Sequence, residues 1–345
     1  MFGERKMGHV FLTAANAVFP IVLLILVGAY LRKIGLLSEG FLKTGNKLVF
    51  VLCLPVALFI NVYNIENIYD LRWDVIVYCV VMVLVIFFLG LATAVMTTKE
   101  HTRRGVLLQC VFRSNYAIIG LPLAAAIGGS EAQAVAALVS AFVIPLFNVL
   151  AVIALSMFDN RQQRHHVRAV LVDIMKNPLI IGTCLAIVCL VIRHLQVKNL
   201  GYLAFSIKGQ LPFVYTALNY LKNCVTPLAL IVMGGQFQFS ATRGILKEIT
   251  VGTLWRIVLA PILGVGIAIL LSRYTGIINF GINEYPALVA LFGSPVAVSS
   301  AIMAKQMGGD EQLATQYVVW SSIASVLTVF LLVSGLMAMG LLTGI

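Results

Sequence analysis

Two segments of this chain gather the residue types that could hold an anion inside apolar surroundings. The first reads CVFRSNYAIIGLPLAAAIGG and sets Arg113, Ser114 and Asn115 ahead of Gly120 and Pro122. The second reads ALFGSPVAVSSAIMAKQMGG and carries Gly293, Ser294, Pro295, Ser299 and Ser300. Proline lacks an amide donor and clashes with the preceding turn, and glycine adds backbone freedom. Each helix is therefore expected to break, the first near residues 119–122 and the second at the matching place. A broken helix exposes unpaired N–H groups and the positive end of its dipole. A lone proline kink would be structural, but a matched pair of breaks points to function, and a small anion suits two such ends. Arg113 could pair with a carboxylate, and Asn115 is a neutral donor that is cheaper to bury. The expected substrate site is Asn115, Arg113, Gly120, Pro122, Pro295, Ser294, Ser299 and Ser300. Asn148, near Pro145, and Asn177, before Pro178, either bond neighbouring helices or join that site. Arg113 lies nine residues past Arg104 and Arg256 nine past Lys247, so each either faces a cavity or reaches back to the cytoplasmic surface. Lys47 and Lys222 read as interfacial.

The elements that position these residues follow from composition. Of 345 residues, 61% are apolar and only 11% charged, which excludes a disordered chain and an ordinary soluble domain. The mean hydropathy of +1.00 agrees. Ten apolar stretches lie near 10–31, 42–63, 73–96, 104–128, 131–157, 173–193, 213–236, 248–272, 284–306 and 311–343. Helices are expected, because hydrocarbon cannot satisfy an open backbone and no alternating barrel pattern is present. The cationic N-terminal stretch is too long for a signal-peptide core and reads as a retained first span. The net charge of +11 reads as basic cytoplasmic loops, not as a nucleic-acid surface. Loops after the odd spans hold 13 Lys and Arg against 7 on the other side, which places both termini outside the cytoplasm in the cell inner membrane.

Other chemistries lack their residues. Asp74, Glu131, Asp173, Glu248, Glu284 and Glu311 all fall at span ends, so no carboxylate is expected at mid-membrane. The five histidines lie in termini, loops or span ends, and the six cysteines read as apolar packing residues without metal-ligand spacing. No Ser/His/Asp, HExxH, Walker or GxGxxG pattern appears, so no enzyme, metal or cofactor is expected.

The basic loop DNRQQRHHVR at 159–168 divides the chain into similar halves. LPVALFI around Pro55 is echoed by TPLALIV around Pro227, and GGSEAQAVAALVS from Gly128 by GGDEQLATQYVVW from Gly308. Five spans per half is an odd number, so the halves insert with opposite orientation, as in secondary transporters. The expected fold is an all-α integral membrane protein of ten transmembrane helices. Residues 1–157 and 173–345 form two inverted five-helix repeats around a basic loop at 158–172, with crossed, broken helices 4 and 9.

NYAIIGLPL, LPVALF, KNPLIIG, TPLALIVMGG and SPVAVSSAIMAKQMGGDEQLA together resemble the auxin efflux carrier family. That family includes bacterial malonate- and malate-type carriers and the plant PIN-FORMED exporters. The resemblance covers essentially the whole chain. It implies a bile-acid symporter-like fold, with a scaffold domain and a transport domain holding an X-shaped crossover. It puts Asn115 where plant members contact the substrate carboxylate. Asn177 matches the start of their Asn-Pro-Asn, whose third position is Leu179 here. The short 5–6 loop resembles compact prokaryotic members. The expected function is secondary transport of small organic anions by alternating access; an anion channel or membrane receptor on the same scaffold is the alternative. The expected partners are the organic anion, membrane lipid and a second copy of the chain as a homodimer, with no nucleic acid.

Overall fold

The computed structural model describes residues 20, 23–64, 72–158, 176–236 and 244–342. The start of the first span and the basic loop at 159–168 lie outside the described residues. Among the described residues the chain is helical and holds no strand beyond one isolated bridge. In order, α1 covers 23–33, α2 Glu39–Tyr63, α3 Trp73–Thr97, α4 His101–Phe112, α5 Tyr116–Met157 and α6 Pro178–Leu200. Then follow the short α7 (Ile207–Gln210), α8 (Pro212–Gln236), α9 (Leu246–Thr275), α10 (Glu284–Gly293), α11 (Ser299–Gln306) and α12 (Glu311–Ala338). Six of these, α2, α3, α5, α6, α9 and α12, are long and apolar enough to cross a membrane. The protein is a multi-pass membrane protein.

Local chemistry sets the helix ends. Ser38 accepts from Phe41 N to cap α2, Asn177 from Leu179 N to cap α6, and Asp310 from Leu313 N to cap α12. Lipid-facing stripes recur at helical spacing, such as Val77, Val81, Val85 and Phe88 along α3, all exposed.

The helices sort into two bundles. α1, α2, α6 and α8 pack together, and α3, α4, α5, α9, α10, α11 and α12 form the second group. Few contacts join the groups, through α11 against α2 and α8 and through α5 against α2 and α6. The first bundle closes through backbone approach at glycine. A Cβ on Gly182 would stand 2.7 Å from the Pro55 carbonyl oxygen. One on Gly28 would strike the Ile231 carbonyl, and one on Gly234 the Ile25 carbonyl.

One expectation needs correction. The fourth stretch breaks at 113–115, not at 119–122: Arg113 is extended at φ −89°, ψ 105°, and Asn115 stands at φ −80°, ψ 52°. The helix resumes with a wide turn over Tyr116–Gly120, and Pro122 falls at the start of the regular helix beyond it. Proline is tolerated in a first turn, where its missing N–H has no partner to lose. Between the fourth and fifth stretches, α5 is two helices joined across a kink at Gly129, whose φ of 73° and ψ of −162° a side chain would strain. The ninth stretch breaks where expected, Ser294 being extended at ψ 148° before α11 resumes at Ser299.

Gly234→Leu is expected to force α1 from α8 at a cost of about 1–3 kcal/mol, lowering the thermal midpoint of detergent-solubilised protein. Gly335→Leu, where no atom lies within 4 Å of the added Cβ, is the control that leaves it unchanged.

Candidate functional site

The two breaks meet. Asn115 N donates to Pro295 O at 2.7 Å and Ala297 N donates to Arg113 O at 3.3 Å. Ser114 and Val296 thereby form a single antiparallel bridge. Interrupted helices leave backbone groups that hydrocarbon cannot satisfy, and each break supplies partners for the other.

Four helix ends converge on this bridge. α4 and α10 end there, presenting carbonyls; α5 and α11 begin there, presenting N–H groups. The carbonyl ends are held by Arg256 of α9, which is 1% exposed. Its Nε donates to Ser294 O at 3.0 Å, and Nη1 to Val111 O at 3.2 Å and Phe112 O at 3.1 Å. Nη2 donates to Leu291 O at 3.1 Å and to Phe292 O. Arg256 thus neither lines a cavity nor reaches the surface. Two helix C-termini in one place concentrate negative partial charge, and a planar guanidinium with five N–H donors answers both.

The opposite, N-terminal ends are left to a cavity of about 860 Å³. Tyr116, Ala117 and Ile118 of α5 and Ala297, Val298 and Ser299 at the start of α11 line it. Arg113, Ser114, Asn115 and Asn148 complete that wall. The facing wall comes from the first bundle, with Asn61 and Asn64 around the end of α2 and Lys222, Asn223 and Thr226 of α8. The remainder is apolar, including Leu54, Leu58, Phe147, Leu179 and Ile302. Among the described residues no Asp or Glu lines it.

Arg113 is buried and turned to the cavity. Its Nη2 donates to Asn148 Oδ1 at 2.7 Å, and Asn148 Nδ2 donates to Ile144 O at 2.9 Å. Its Nη1 faces Met303 Sδ and, with the Gln109 amide turned to satisfy its neighbours, Gln109 Oε1 at 2.9 Å. Gln109 Nε2 then donates to Ser300 O at 3.3 Å. All these partners are neutral. Asn115 Nδ2, Ser114 Oγ and Ser300 Oγ are buried and have no hydrogen-bond partner among the described residues.

Of the residues singled out in the sequence, Arg113, Asn115, Asn148 and Ser299 come together in the cavity. The others serve the crossing or lie elsewhere. Ser294 gives its carbonyl to Arg256 and donates Oγ to Ala290 O, and Pro295 gives its carbonyl to Asn115. Gly120 allows close packing, since a Cβ there would stand 3.0 Å from Ala290 O, and Pro122 faces outward. Ser300 sits behind the wall. Asn177 caps α6 and points its Nδ2 at Met307 Sδ, 3.7 Å away. Lys222, read as interfacial, lines the cavity, as do Asn61, Asn64, Ser114, Ser140, Asn223 and Thr226. The four-residue step from Lys222 to Thr226, and the three-residue step from Asn61 to Asn64, put polar groups on one helix face and were the available signal.

Arg256→Met is expected to strip donors from five buried carbonyls, each orphan costing about 1–3 kcal/mol, and to abolish recovery of monodisperse protein by size-exclusion chromatography. Arg256→Lys keeps the charge but not the fork, so protein is recovered with a lowered thermal midpoint.

The sequence profile of a family described as membrane transport protein matches residues 13–333. A protein of Methanothermobacter thermautotrophicus, described as an uncharacterized transporter, is 23% identical over 328 residues, covering 92% of this chain and 97% of its own. A second uncharacterized transporter, from Methanocaldococcus jannaschii, is 23% identical over 253 residues, covering 71% of this chain and 76% of its own. A profile match running from the first span into the last helix makes this chain a member of the membrane transport protein family, the auxin efflux carriers.

Proposed function

We propose that the protein is a secondary carrier of small organic anions, carboxylates in particular, that works by alternating access. The observation that carries this reading is the polarity of the cavity. It is lined by Arg113, Lys222, the N-terminal ends of α5 and α11, and Asn115, whose amide donor has no partner among the described residues, with no described acid. A carboxylate oxygen accepts from Asn115 and Arg113 and lies at the positive helix ends.

The arrangement of the bundles supports a carrier over a channel. At one end of α2, Asn61 and Asn64 line the cavity. Toward its other end, Gln306 Nε2 of α11 donates to Asn46 Oδ1 at 3.2 Å. Gln312 Nε2 of α12 donates to Gln236 O of α8 at 3.2 Å. These bonds tie the two bundles together at the end of α2 away from Asn61 and Asn64, which supports a path shut at that end. Lys43, Arg103 and Lys305 lie toward that closed end, which favours assigning it to the cytoplasm and the open state to the outside. On this reading the chain has ten spans as two inverted repeats, the termini are outside, and the membrane is the cell inner membrane.

The test is uptake of labelled malonate and labelled benzoate into proteoliposomes. Wild-type uptake saturates, Asn115→Ala loses roughly tenfold in uptake efficiency, the weight of about 1.4 kcal/mol, and Arg113→Gln loses more. Undiminished uptake by Asn115→Ala would overturn its assigned role, and uptake that never saturates would favour a channel.

A further inference from the structure

We infer that the empty protein does not reorient, so that it runs as an obligate anion exchanger, with the charges of Arg113 and Lys222 enforcing the exchange. The inference rests on the carrier reading above and adds to it the coupling mode.

The cavity holds two formal positive charges and no described negative one. Arg113 comes from the break between α4 and α5, in the second bundle. Lys222 comes from α8, in the first bundle. Neither has an ion pair among the described residues, and the partners of Arg113, namely Asn148, Met303 and Gln109, are neutral. Four acids of the second bundle are engaged elsewhere. Glu248 and Asp310 hold Arg103 at 3.2 and 3.1 Å, Glu284 holds Arg72 at 2.7 Å, and Glu311 holds Lys305 at 2.7 Å. The helix N-termini of α5 and α11 add positive partial charge and neutralise nothing.

While the mouth is open, water reaches the half-buried Lys222, and Arg113, already buried, rests on its neutral partners. Alternating access requires a stage in which the cavity is shut from both sides. Sealing the ammonium of Lys222 away from water, beside a guanidinium that has no counter-ion among the described residues, carries a penalty of several kcal/mol. A bound carboxylate removes most of that penalty, because it supplies the missing charge to both bundles as they close. Arg113 cannot escape by losing its proton, since a guanidinium stays charged at any physiological pH. The loaded protein therefore closes and crosses, and the empty one stays open on the side where it released its guest. Placing Lys222 and Arg113 on opposite bundles makes the barrier a property of closure itself: the two charges approach only when the bundles do.

The experiment compares labelled malonate and labelled benzoate, each alone, entering two kinds of proteoliposome. One kind is loaded with the same unlabelled anion; the other holds only zwitterionic buffer, with potassium and valinomycin clamping the potential. Wild-type uptake into loaded vesicles is expected to exceed uptake into unloaded ones by about tenfold or more. Lys222→Gln and Lys222→Met should raise uptake into unloaded vesicles and narrow that ratio severalfold, while Lys222→Arg keeps it. Equal wild-type rates in the two kinds of vesicle would overturn the exchange inference and leave the carrier reading standing. Saturable uptake of neither anion would overturn both. An unchanged ratio in both neutral variants would remove Lys222 from the mechanism.

Discussion

One arginine makes the interrupted helices possible. A helix that stops inside a membrane leaves carbonyls with no water to bond, and here two helices stop at the same place. Arg256 meets Val111, Phe112, Leu291, Phe292 and Ser294 with one planar group. Its charge also opposes the negative ends of α4 and α10. The bond pair between Asn115 and Pro295 and between Ala297 and Arg113 then fixes the register of the two extended segments. With the carbonyl ends satisfied internally, the N–H ends of α5 and α11 are the part of the crossing turned toward a guest. The fold separates the two poles of its broken helices, using one for structure and leaving the other for binding.

The rest of the second bundle is stitched to the helices of the crossing. Arg103 of α4 pairs with Glu248 of α9 and Asp310 at the start of α12. Tyr317 Oη of α12 donates to Glu248 O at 2.7 Å, and Tyr78 Oη of α3 donates to Gly264 O of α9 at 2.6 Å. These bonds tie four helices around the break. By contrast, hydrogen bonds between the bundles such as Gln306 with Asn46 and Gln312 with Gln236 are neutral amide contacts. Neutral contacts are cheaper to break than ion pairs in a partly buried place. The strong interactions therefore lie within the second bundle and the weak ones across the seam, the distribution that a rigid-body shift needs.

Much of this was written in the sequence, and the gaps have physical reasons. The spans were legible because apolar runs of such length have few other uses. The two breaks were legible as a pair, but the first was misplaced by several residues. Pro122 drew the eye, yet proline at the start of a helix marks a restart, and the stop belongs to Arg113 through Asn115, whose residue types permit extended backbone without demanding it. Arg113 and Asn115 were recognisable as cavity groups because polar side chains beside a break have reason to be there. Lys222, Asn223 and Thr226 were not, since they lie on an unbroken helix and gain meaning only when α8 faces the crossing. Arg256 could not have been placed from spacing. Its role depends on five carbonyls from segments about 35 to 145 positions away, a convergence visible only in three dimensions.

The unsatisfied groups sharpen the location of the site. A protein that spends an arginine on five carbonyls is strict about buried polarity, yet on the same bridge Asn115 Nδ2 and Ser114 Oγ have no partner among the described residues. Each buried orphan costs about 1–3 kcal/mol, and both lie in segments that line the cavity. The same crossing is therefore complete on its carbonyl side and incomplete on its donor side. An acceptor entering from the cavity offsets that deficit, and because the bridge already fixes Asn115, little ordering remains to be done on binding. A cation would meet the same donors, the same helix ends and the charge of Arg113 with repulsion. On the proposed carrier reading, the asymmetry of the crossing selects the sign of the guest, and the apolar walls contributed by Leu54, Leu58 and Phe147 suit one that carries some carbon with its charge.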